Sequence, residues 1–221
     1  MSALAAAVRL DVRTVSPYRR QLLPLVGVAA ILSAVSTDSV VVVLAGAVFG
    51  SATASYPFAV GDKYDLDTLR AVLPVPRGLL VAARYLFAAG VYLVVGALAT
   101  ALALLAAAAR EQPVDAGALL TALAVGFGTY AVLAGLQLPV YYALGYTRGR
   151  MVAFLPVVLA STAVGLVLSS TGGRAPDVAA WLVDRTGPVA ALCLGAGVVV
   201  LAASAAVSWR LDGRRAARAG G

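Results

Sequence analysis

Asp62, Lys63, Asp65 and Asp67 crowd into the six residues "DKYDLD". Three carboxylates this close could share a divalent cation, which favours oxygen ligands. Lys63 and Arg70 stand beside them, however, so solvated or ion-paired carboxylates are the favoured reading. The rest of the inventory is poor in chemistry. There is no histidine, which removes the commonest general base and metal ligand. The scattered Ser and Thr therefore have no imidazole to activate them, and the one cysteine, Cys193, has neither a disulfide partner nor a ligand cluster around it. A nucleotide site is not expected either, because no G-x-x-x-x-G-K-[ST] is present and Lys63 is the only lysine. Gln137, two residues before Pro139, is the strong amide within an apolar tract and a candidate polar contact on a substrate path. No catalytic residue and no metal site are assigned, and the chain is not expected to be an enzyme or to carry a cofactor.

The elements that hold these residues are apolar. The chain is 62% hydrophobic and 12% charged, against about 25% charged in soluble domains. Its charges cluster, leaving uncharged tracts near the roughly 20 residues that cross a bilayer core. Six spans are expected: Leu22–Ser36, Ser39–Phe58, Tyr85–Ala109, Ala118–Leu144, Met151–Ser170 and Pro188–Trp209. Only Thr37-Asp38 separates the first two, as a tight hairpin or one re-entrant segment. The fold class is thus all-α and integral to the membrane.

Orientation follows from charge. With the N-terminus, the loops after spans two and four and the C-terminus on one side, that side holds all but three of the 17 Lys and Arg residues. The exceptions are Arg110, Arg174 and Arg185. By the positive-inside rule both termini are cytoplasmic, and the net charge of +7 needs no nucleic-acid partner. Ala34-Val35-Ser36 has the small residues of a signal-peptide cleavage site. Leu4, Val8, Val12 and Val15 at helical spacing, with Arg9 and Arg13 on another face, favour instead an amphipathic helix over residues 1–20, lying on the inner membrane surface.

Gly46-Ala47-Val48-Phe49-Gly50 is a small-xxx-small pattern, suited to packing inside one subunit or to a dimer seam. Tyr18, Tyr85, Tyr141, Tyr142 and Trp209 fall at the expected inner boundary and read as interfacial anchors. No span carries an ionisable residue, so coupling to protons is hard to build, and energy for uphill transport would come from another chain. A motor outside the chain needs a rigid handle. Asp65 or Asp67 can cap a short helix. Leu73-Pro74 and Val75-Pro76 then force an extended backbone, and a second helix, Gly78–Tyr85, runs into span three.

The segment "GDKYDLDTLRAVLPVPRGLLVAARYL" resembles the cytoplasmic loop of type-2 ABC exporter permeases, which pair an acid-acid-lysine triplet with a Leu-Pro-Val-Ser-Arg motif and an Arg/Lys-Tyr. Asp62 and Lys63 match the first element, Leu73, Pro74, Val75 and Arg77 the second, and Arg84-Tyr85 the third; Gly61 and Pro76 depart from it. "PVYYALGYTRGRMVAF", with Gly145, Tyr146, Arg148 and Arg150, is similar to the second cytoplasmic loop of those permeases. The resemblance implies one permease domain over 1–221, with a connecting helix (1–20), a coupling loop (62–84) that includes a cytoplasmic coupling helix between spans two and three, and an extracellular gate loop (171–187). It implies two copies of an ATPase subunit holding ATP and magnesium, a second permease copy or homologue, and export of an amphipathic or hydrophobic peptide, lipid or drug across the inner or plasma membrane. Membrane lipids are its other partners. The alternatives are a non-transporting membrane scaffold or immunity-like protein docking a cytoplasmic partner, and an enzyme acting on lipid.

Overall fold

A backbone in hydrocarbon must satisfy its own N–H and C=O groups, so runs of Ala, Val and Leu in lipid fold as helices. The computed structural model describes residues 2–18, 39–66, 75–170 and 186–219, with positions 27 and 31. Among the described residues the regular structure is helical, without strands: α1 (Ala3–Val15), α2 (Ser39–Thr53), α3 (Tyr56–Lys63), α4 (Arg77–Ala109), α5 (Ala116–Ser170) and α6 (Thr186–Ala219).

Among the described residues four helical segments, not six, are long and apolar enough to cross a membrane: Val42–Lys63, Arg77–Ala109, Ala116–Leu159 and Gly187–Arg214. Two causes account for the difference. The expected first span lies outside the described residues, apart from positions 27 and 31. The expected fourth and fifth spans run together as α5, interrupted only at Gly145. Its φ of 73° and ψ of 172° suit a residue without Cβ. The loop expected there shrinks to one residue, so Arg148 and Arg150 ride on the first turns of the arm 146–170. The expected handle helix Gly78–Tyr85 is likewise the start of α4, whose 33 residues make a rod of about 50 Å.

Span two is also jointed. Ser51, Thr53 and Ser55 each turn a hydroxyl back onto the carbonyl three residues earlier, at 2.7 Å. Pro57 offers no N–H to continue the ladder. The helix therefore breaks at Ala54-Ser55 and restarts as α3.

Small residues set the crossings. A Cβ on Gly46 would meet Ala99 at 3.1 Å, and one on Gly50 would meet Val95 at 3.0 Å, so the small-xxx-small pattern is a seam between α2 and α4 of one chain. Gly126 faces Val43 and Ala47, while Gly128 and Gly135 of α5 face Cys193 and Val200 of α6. Tyr130 donates to the Ala88 carbonyl at 2.7 Å, and Tyr92 donates to the Leu123 carbonyl, tying α4 to α5. The outside is apolar: Leu93 and Leu192 are each 70% exposed, as lipid-facing residues should be.

The helix α1 is docked against the bundle on one side. It packs on α4 and α3 through Ala7 and Asp11, both buried. The apolar stripe lies on another side, where Leu4, Val8 and Val12 line an open groove together with Leu86. A small Ala7 lets the backbones approach, and this decides which face docks.

Gly50→Leu should lower the melting temperature of the detergent-solubilised chain, by an overpacking cost of about 1–3 kcal/mol. Size-exclusion light scattering should find its oligomeric state unchanged. A changed oligomer with unchanged stability would return the seam to a dimer interface.

Candidate functional site

The polar side chains converge on one end of the bundle. Gly78 faces Trp209, Asp62 reaches Thr147, and Tyr18 reaches Tyr64. The Lys63 end of α3, the Arg77 end of α4, the Gly145 break and the Trp209 region of α6 are therefore neighbours, joined by the end of α1. These are the segments that charge counting assigned to one side.

Pro76 occupies the N-cap position of α4, with φ −57° and ψ 134°, and contributes no side-chain cap. Its carbonyl accepts from Leu79 at 2.9 Å and from Leu80 at 3.3 Å. Serine at this position would offer a capping oxygen; proline instead fixes φ. Arg77 sits at the positive end of the α4 dipole, where a cation is disfavoured, and Asp212 of α6 approaches it at 3.9 Å. Val75 is half-buried and Pro76 exposed. Asp67, Leu73 and Pro74 lie outside the described residues.

Two turns along α4, Arg84 is buried, with 8% exposure. Its guanidinium carbon lies 3.9 Å from the centre of the Phe58 ring and 5.8 Å from that of Tyr142. Phe58 also packs against Tyr141 and Tyr142, with centroids 5.4 and 5.0 Å apart. Asp11, Asp212 and Arg84 all act electrostatically on Tyr142. Asp11 itself is 4% exposed. Beside this cluster the Tyr85 hydroxyl bonds Ser204 at 2.6 Å and Ser208 at 2.8 Å, and Ser204 donates to the Gly135 carbonyl at 2.7 Å. Three of the five expected interfacial anchors are thus interior: Tyr85, Tyr141 and Tyr142 are buried. Tyr142 lies beside Arg84, Tyr141 packs on Phe58, and Tyr85 bonds the serines of α6. Trp209, 59% exposed, keeps an outward position.

The "DKYDLD" cluster is divided between partners. One Asp62 oxygen accepts from the Thr147 N–H at 2.9 Å and from its hydroxyl at 3.1 Å. Lys63 lies over the rings of Tyr18 and Tyr64, at 5.9 and 5.2 Å. The Tyr18 hydroxyl donates to that of Tyr64 at 2.9 Å. The Tyr64 hydroxyl is held below its ordinary pKa by that bond and by Lys63, while donating raises that of Tyr18. Asp65 adopts a φ of 50° and lines a polar notch with Asp62, Gly145, Thr147 and Arg148. Tyr146 stacks near Tyr141 at 5.6 Å. The notch lies between the two conspicuous motifs of the sequence.

Gln137 is 1% exposed on α5, and its side-chain nitrogen has no hydrogen-bond partner among the described residues. It lies inside the bundle, one turn before Tyr141 on the same helix. Sequence reasoning missed Phe58, Asp11, Thr147 and Asp212 as members of this end. Only Asp11 carried a visible signal, as an acid between Arg9 and Arg13 on a basic helix.

Among the described residues the structure is helical, with long apolar helices that suit a multi-pass membrane protein. Comparison with protein families matches residues 9–211 to the ABC-2 family transporter proteins. The chain belongs to that family. It is a permease subunit of an ABC transporter, and the family works with an ABC ATPase partner. No curated protein and no solved structure matches it.

Phe58→Leu should destabilise the solubilised protein by about 1–3 kcal/mol, through loss of the ring beneath Arg84 and of its aromatic neighbours. Combined with Arg84→Met in a double-mutant cycle, it should show a coupling of about 1 kcal/mol in thermal melts. Additive losses would mean that the two side chains do not support one another.

Proposed function

We propose that this chain is one half of the membrane pathway of an ATP-driven exporter. Each chain crosses the membrane six times, with Leu22–Ser36 as the first span and 116–144 and 146–170 as the fourth and fifth. Both termini and the two charged segments, Asp62–Arg84 and Gly145–Arg150, face the cytoplasm. Two such permeases, identical or homologous, work with two ATPase subunits that bind ATP and magnesium. The segment Asp65–Leu80 docks the ATPase.

The observation that carries this reading is the continuity of α4. It runs unbroken from Arg77 to Ala109, so force applied at Val75–Arg77 acts on a rod as long as the membrane is thick. The charge asymmetry supports the cytoplasmic assignment. The spans carry apolar side chains with scattered Ser and Thr, which suits an amphipathic or hydrophobic cargo such as a peptide, a lipid or a drug. The segment 171–187 forms the outer gate.

Purification of the tagged chain from native membranes should bring down a Walker-containing ATPase at a one-to-one ratio. Replacing Leu73–Arg77 with Gly-Ser residues should cut that recovery at least tenfold while leaving the permease in the membrane. Recovery of no ATPase with the intact chain would favour the scaffold reading; recovery unchanged by the replacement would move the docking surface elsewhere.

A further inference from the structure

The arm 146–170 begins directly after Gly145, and that glycine creates a local problem. A helix start leaves its first N–H groups without backbone partners. The side chain of the residue at the N-cap usually supplies the missing oxygen. Here the position is held by glycine, because the backbone turns through φ 73° and ψ 172°, and glycine has no side chain to lend. The oxygen arrives from α3. Asp62, 85 positions away in sequence, accepts from the Thr147 N–H at 2.9 Å and from the Thr147 hydroxyl at 3.1 Å. A carboxylate at this place also suits the positive end of the helix dipole.

We propose that Asp62 is a positioning residue, the cap of the arm 146–170 supplied by α3, and that it clasps the cytoplasmic ends of spans two and five together. This rests on the permease reading only for its consequence: motion taken up by the segment after Asp62 is delivered to the arm 146–170 as well as to α4. It also separates Asp62 from the acids that would meet an ATPase. Its carboxylate is already committed within the chain, on the wall of the notch that Asp65 and Arg148 also line.

The test is amide hydrogen exchange of the full chain in lipid nanodiscs, read over residues 145–150. Asp62→Ala should speed exchange there about tenfold, the loss of one good cap, while exchange in 116–135 stays unchanged. Asp62→Asn keeps an accepting oxygen and should restore most of the protection. Thr147→Val should give a smaller increase, and in the Asp62→Ala background it should add nothing. Should Asp62→Ala not accumulate, Thr147→Val and Asp62→Asn carry the test. Exchange at the wild-type rate in these variants would overturn the clasp. Co-purifying ATPase, measured on the same samples, should stay at the wild-type level. If even the wild type recovers no ATPase, the permease reading fails while the exchange data still decide the clasp.

Discussion

Arg84 is the interaction on which the charged end of this bundle depends. A guanidinium at 8% exposure has lost most of its water, and such a charge persists only if the protein replaces what water supplied. The Phe58 ring lies 3.9 Å beneath it and offers the negative face of its quadrupole. Tyr142 closes another side, and Asp11 and Asp212 lie within electrostatic reach of that ring. These residues come from α1, α3, α5 and α6, and Arg84 itself from α4. A single buried cation thereby ties α4 to α3 and α5, with acids of α1 and α6 nearby.

The opposite strategy governs the rest of the bundle. Away from Arg84 the crossings are made by Gly46, Gly50, Gly126 and Gly135 lying against Val, Ala and Ser. Lipid supplies no hydrophobic drive between helices, so close backbone approach takes its place. Hydroxyls in this region are spent on carbonyls, as Tyr130 on Ala88 and Tyr92 on Leu123. The two regimes divide the labour. Small-residue seams set the helix spacing, and the charged end joins helices whose ends would otherwise splay.

Much of this was legible because lipid is an exacting solvent. Charge-free tracts and the one-sided distribution of Arg follow from it directly, and both appear in the arrangement of α2 to α6. What could not be read is what depends on a partner distant in sequence. Gly46 and Gly50 announced close approach but not its object. Arg84 looked like a surface residue of the elbow, since an arginine at the end of an expected cytoplasmic segment (62–84) normally faces water. Tyr141 and Tyr142 suited an interfacial belt by position, and only the ring cluster around Phe58 shows why they turn inward. The Gly145 break was beyond periodicity, because one residue at positive φ joins two helices without altering the hydrophobic pattern. The same holds for α1: its apolar stripe was visible, but the small side of the helix, at Ala7, determined how it docks.

The eight-residue helix α3 draws these observations together. At one end it is freed from α2 by three hydroxyls and a proline. At the other it is tied to the arm 146–170 through Asp62 and to the end of α1 through Lys63, Tyr64 and Tyr18. Midway it presents Phe58 to Arg84. This short segment is thus separated from α2 at one end and holds contacts to α1, α4 and α5 along the rest. The break in span two and the "DKYDLD" cluster, seven residues apart and unrelated in composition, are in this sense the two ends of one short connecting helix.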